Sequence, residues 1–142
     1  LMLSNYKKAI SSFLDAIGIQ PKDIYFNGLG IAYTKSGNYN KSLASYQKAI
    51  SLNNKNNFAY FNSGLILEKQ GYLKKAGNYF YSAGTSSILN KDYTKANESL
   101  VALKRVTLNE NQLKNKEIKL KKLITEFTKL PDEPINILKI KN

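Results

Sequence analysis

One pattern recurs along the chain and fixes most of what it can fold into. Phe26, Leu29, Gly30 and Tyr33 form an aromatic-x2-Leu-Gly-x2-Tyr run. A Gly37 break follows, then Ser42 and Tyr46 as small-x3-Tyr. Further on, Tyr60, Gly64 and Leu67 stand where Phe26, Gly30 and Tyr33 stood, with Ser63 at the Leu position. Gly71 repeats the break, and Ala76, Phe80 and Ala83 repeat the small–aromatic–small face. A glycine between two runs of helical periodicity ends one helix and starts the next. Small residues at Gly30, Ser42 and Ala49, and at Gly64, Ala76 and Ala83, let paired helices approach closely. Tyr33, Tyr46 and Phe80 fill the gaps that remain. One hairpin cannot cover its own apolar face, so copies must stack.

Residues 4–21 carry the second half of the same pattern: Ala9, Phe13, Ala16 and a closing Pro21. Together these motifs resemble the tetratricopeptide repeat, a helix–turn–helix unit of about 34 residues. The resemblance covers residues 4–89. It implies an all-α fold, an α-solenoid of antiparallel helix pairs wound as a right-handed superhelix, with about seven helices. The expected organisation is a helical repeat domain over residues 1–130. It holds a half repeat at 4–22, full repeats at 23–56 and 57–90, and extra helices at 92–108 and 109–130. The first helix of the opening half repeat is missing, which implies that the natural protein extends upstream.

Local signals refine this layout. Asp23 is placed to cap the helix that follows it. Asn53 to Asn56 end the second helix of the unit, with Asn54 where the family has Pro, at some cost in rigidity. Gly77 and Gly84 lie inside a helix, each at about 1 kcal/mol relative to Ala. With Ala76, Ala83 and Ser87 they form a small-residue stripe, read as a groove for the helix from Tyr93 to Leu108. Asn90-Lys91-Asp92 supplies a turn and a cap. Asn109 with Gln112 reads as a capping box for a helix to about Leu130. That helix sets Leu113, Leu120, Leu123, Ile124, Phe127 and Leu130 against Lys114, Lys116, Lys119, Lys121 and Lys122, as a polar-backed cap to the stack. Pro131 and Pro134 stop it. Residues 131–142 are then a Pro-bounded tail or linker, strand-prone from Ile135.

Composition removes most chemistry. The 142 residues include no Cys and no His, so thiolate chemistry and the commonest general base and metal ligand are missing. The ten acids are scattered; Asp132-Glu133 is the one adjacent pair, between two prolines. Gly28-Leu29-Gly30 lacks the spacing of a phosphate-binding loop. The chain therefore reads as no enzyme, with no cofactor and no metal. It has no apolar run long enough to span a bilayer and no signal-peptide pattern, and its compartment is not legible. The net charge is +12, yet Arg105 is the one arginine among 22 basic residues. Dedicated phosphate and base contacts favour arginine, so nucleic acid and membrane are disfavoured as partners.

What is left is surface recognition. The resemblance implies that the first helix of each repeat lines a concave groove. That gives Asn27, Ile31 and Lys35 from one repeat and Phe58, Phe61, Asn62, Leu65 and Lys69 from the next, flanked by Ile24, Gly28 and Glu68. A known subclass grips a C-terminal carboxylate with Lys, Asn and Arg. Asn62 matches one clamp asparagine, but Asn27 and Ile31 stand where that clamp needs Lys and Asn. The expected ligand is therefore an apolar anchor on a peptide or helix segment of another protein. The expected role is a protein–protein interaction scaffold. The alternatives are a lysine face that binds RNA or an anionic membrane, and homo-oligomerisation through the groove and tail.

Overall fold

Each apolar run of helical spacing forms a helix in the computed structural model, which describes residues 2–129 and Ile140. In order these are α1 (Met2–Ile19), α2 (Asp23–Lys35), α3 (Tyr39–Leu52), α4 (Asn57–Lys69), α5 (Leu73–Leu89), α6 (Tyr93–Thr107) and α7 (Lys114–Lys129). A 3-10 turn, Asn111–Leu113, precedes α7. No strand occurs among the described residues. The fold class is all-α, as the sequence indicates. The chain forms two compact units, residues 1–59 and 60–142.

In the first unit α1 packs on α2 and α2 on α3. The ring of Phe13 lies over Gly28, so that a Cβ there would overlap it. Gly30 lies under Tyr46 in the same way, 2.5 Å from a Cβ position to the ring edge. Tyr46 and Ala49 are fully buried. Ser42 does more than stay small: its Oγ donates to the Gly30 carbonyl at 2.7 Å, beside Thr34 Oγ1 at 2.9 Å. The small-residue pattern thus places backbone against ring and satisfies the polar atoms that close approach buries.

The second unit repeats this device. Gly64 of α4 lies under Phe80 of α5, with a Cβ position 2.6 Å from the ring. α6 packs along α5, and α7 rests on both. The two glycines of the small stripe of α5 are filled from the 3-10 turn and α7, while α6 also packs along α5. Gly77 faces Leu113 and Gly84 faces Leu120. Branched leucines need the room that only a Cβ-less position leaves. α6 brings small buried residues of its own, Ala96 and Ser99.

Three turns share one hydrogen-bond pattern. Gly37 N–H donates to Thr34 O and Asn38 N–H to Tyr33 O; Gly71 and Tyr72 donate to Glu68 O and Leu67 O in the same way. Both glycines are left-handed, at φ 80° and 84°, as this helix ending requires. Lys91 stands in the third turn at φ 58°, with Lys91 and Asp92 donating to Ile88 O and Ser87 O. So α5–α6 is a hairpin of the same kind, 20 residues after Gly71 rather than 34. This is why the second-helix pattern reappears in α6 out of period.

The caps follow the sequence in part. Asn38 accepts from Lys41 N–H at 3.3 Å and Asp92 from Lys95 N–H at 3.0 Å. Asp23 does not cap: it is the first helical residue, after a Lys22 cap position that makes no side-chain hydrogen bond. Its carboxylate accepts from Asn53 and Asn56 instead, at 2.8 and 2.9 Å. Asn109 and Gln112 form no capping box. The cap position is Glu110, without a side-chain bond, and the chain enters α7 through the 3-10 turn. The reading of residues 131–142 falls outside the described residues except for Ile140, which is helical and buried.

Candidate functional site

The candidate residues fall on two helices. Asn27, Ile31 and Lys35 lie four residues apart on α2, so they share one face. On α4, Phe58, Phe61, Asn62, Leu65 and Lys69 share a face by the same spacing. Each α2 candidate has an α4 counterpart 34 residues on: Asn27 and Phe61, Ile31 and Leu65, Lys35 and Lys69. Exposure repeats with that period. Ile31 is 40% exposed and Leu65 38%; Ile24 is 60% exposed and Phe58, its counterpart, 42%. Lys35 and Lys69 are exposed in turn. Scattered exposed apolar residues need no explanation, but exposure recurring at equivalent positions does.

Other candidates are partly committed to packing. Asn27 is held by Asn56 through a reciprocal amide pair, Nδ2 to Oδ1, at 3.2 and 3.3 Å. Phe58 meets Tyr46 edge to face, with centroids 6.2 Å apart. Phe61 is half-buried against Phe80, at 5.5 Å. Burial pushes the Tyr46 phenol above its ordinary value, against the opposing effect of Thr34 and Ser42.

Two clusters escape sequence reasoning. Asn56 is buried, and its side chain bonds Asp23, Asn27 and the Ala59 N–H at 2.9 Å. It caps α4 and ties it to the start of α2. Polar loop residues such as these give no periodic signal. In the second unit Arg105 of α6 forms a fork with Glu68 of α4, with Nη2 to Oε2 at 2.7 Å, and lies 6.0 Å from the Phe80 ring centroid. The hydrogen bonds to Glu68 hold the guanidinium above its ordinary value. The one arginine is thus committed to a carboxylate.

Among the described residues no group of three or more acids could hold a metal ion. Among the same residues no helix is long and apolar enough to cross a membrane.

A model of the TPR (tetratricopeptide) repeat matches residues 30–71, from Gly30 on α2 to the Gly71 turn. These residues include Gly30 and Gly64, each under a ring, and the two left-handed glycine turns at Gly37 and Gly71. Over these residues the chain is similar to the tetratricopeptide repeat. It is also similar to the TPR repeat-containing protein MJ1428 of Methanocaldococcus jannaschii, at 32% identity over 79 residues. That match covers 56% of this chain and 14% of the relative, so the chain spans about one seventh of the archaeal protein's length. Tetratricopeptide repeats mediate protein–protein interaction, typically as scaffolds without catalysis.

Proposed function

We propose that this helical repeat domain is a non-enzymatic adaptor that binds an apolar-anchored segment of another protein on the first-helix face of its repeats. The observation that carries this is the recurrence of an exposed aliphatic side chain at Ile31 and Leu65, each followed four residues later by an exposed lysine. An aliphatic side chain that stays exposed at the same repeat position is used by something other than the core. Lys35 beside Ile31 suits a segment that carries a carboxylate next to its anchor. A carboxylate clamp of the chaperone-binding type gets no support from these residues, because Asn27 is engaged by Asn56 and Ile31 has no hydrogen-bonding atom.

Two variants test the reading. Ile31→Asp and Leu65→Asp keep the core, since both residues are exposed. Phe61→Asp would be a poor choice, because that ring packs on Phe80. The experiment is capture from the source lysate with nuclease present, at low and physiological salt. A protein that binds the native chain under both salts and is lost from either variant supports the site. Retention of that protein by both variants overturns it.

A further inference from the structure

Apart from Ile118, α7 turns its apolar residues inward. Leu120, Leu123, Ile124 and Phe127 are buried, as is Leu113 in the preceding turn. Lys116 is turned inward as well, donating to Asn78 Oδ1 at 2.7 Å with its ammonium 5.4 Å from the Tyr81 ring centroid. What remains outside is one stripe: Lys114, Ile118, Lys121, Thr125 and Lys129, with Lys122 beside it. At 1.5 Å per residue the stripe is about 22 Å long. Ile118 sits near its middle and is 56% exposed.

The charge of this stripe is only partly offset from within, by Glu117 and Glu126 along the same surface. Lys114 pairs with Glu117 at 3.0 Å. Among the described residues, Lys119, Lys121, Lys122 and Lys129 make no ion pair. These side chains, with Glu117 and Glu126, form one open surface along the helix.

We infer that the outer stripe of α7 docks an acidic amphipathic helix of a partner protein. Carboxylates three and four residues apart meet the lysine rows, and one apolar side chain between them covers Ile118. Charge complementarity selects this occupant. An anionic membrane is the poorer fit, because the apolar face that would enter the lipid is already buried in the protein. RNA is the poorer fit as well, because the stripe holds neither guanidinium forks nor aromatic rings for bases to stack on. Rim lysines of this kind set association rate and salt dependence more than tight affinity.

The probe is a synthetic alanine-based helical peptide with glutamates four residues apart and a central leucine, labelled for fluorescence anisotropy. It is titrated with the full chain at low and at physiological salt. The expected result is binding that weakens as salt rises, with a loss of about tenfold or more in the Lys121→Glu/Lys122→Glu variant, the range that charge complementarity across a rim supplies. Ile118→Asp weakens it too, while Leu65→Asp leaves it unchanged, which separates this surface from the repeat face. Circular dichroism confirms that each variant keeps its helix content. Absence of peptide binding at low salt overturns the inference. So does equal binding by the charge-reversed variant, or displacement of the peptide by phosphatidylserine vesicles or oligouridine at equal charge.

Discussion

Leu120 of α7 sits directly on Gly84 of α5: a Cβ on that glycine would lie 2.6 Å from Leu120 Cδ2 and 2.8 Å from Cδ1. Leu120 is fully buried, so its methyls have no free space to turn into. Two effects oppose each other when Gly84 becomes alanine. Helix propensity favours alanine by about 1 kcal/mol, and overpacking a filled core costs about 1–3 kcal/mol. The clash wins, and Gly84→Ala destabilises the domain in urea unfolding. Gly18 near the end of α1 is the control, because a Cβ there meets nothing within 4 Å. Gly18→Ala is neutral or stabilising by up to about 1 kcal/mol. Equal shifts for the two variants would mean that propensity alone governs and that Leu120 yields freely.

Asn56 is expected to matter far more than its neighbour Asn54. It caps α4 through Ala59 N–H and holds Asp23 and Asn27, whereas Asn54 is exposed. Asn56→Ala removes the cap, worth about 1 kcal/mol, and leaves partly buried amide and carboxylate groups short of a partner, at about 1–3 kcal/mol more. Asn54→Ala should stay within about 0.5 kcal/mol of the parent. Chemical denaturation of both variants checks this, and similar midpoints would show that water replaces Asn56 at little cost.

Lys91 is a site for gain. It holds the left-handed conformation that Gly37 and Gly71 hold in the two other turns, and a side chain there costs about 1–2 kcal/mol. The residue is exposed, so little packing is lost on replacing it. Part of the gain is offset by the greater freedom of glycine in the unfolded chain. Lys91→Gly should raise the stability by about 0.5–1 kcal/mol, a common increment for such changes. A lower melting temperature in the variant would place the importance of Lys91 in its side chain rather than its backbone.

The steric skeleton was legible because it repeats. Gly30 under Tyr46 and Gly64 under Phe80 impose the same requirement twice, so the glycines and rings recur in phase. The recurring exposure of Ile31 and Leu65 was legible for the same reason. The spacing could not tell Leu65 from Phe61, because a shared helical face does not say that one ring meets Phe80. Polar partners were not legible. Asp23 finds Asn53 and Asn56 some thirty residues away, and a cap assigned from the nearest helix start misses that competition. Lys91 escaped because the turn tolerates a lysine where the rule expects glycine. Lys116 was placed on the polar face by residue type, while its long stem carries the ammonium inward to Asn78 and Tyr81.

Alkaline pH should unfold the domain in part through Tyr46. Burial disfavours the phenolate, so the folded-state pKa is above the ordinary value of 10.0. The folded protein therefore keeps this proton where the unfolded chain begins to lose it. The contribution is fully present below about pH 10, and stability falls as pH rises through and beyond that value, because the unfolded state then binds fewer protons. Tyr60 and Tyr81 are shifted the same way by burial, and Tyr60 also by repulsion from Tyr79. The absolute pH dependence therefore mixes several groups. The difference between the native chain and Tyr46→Phe isolates one of them. The variant lacks the titrating group and should lose less stability than the native chain between pH 9 and pH 11 when both are unfolded in urea at each pH. Parallel curves over that interval would mean that water reaches the Tyr46 hydroxyl and that burial does not hold its proton.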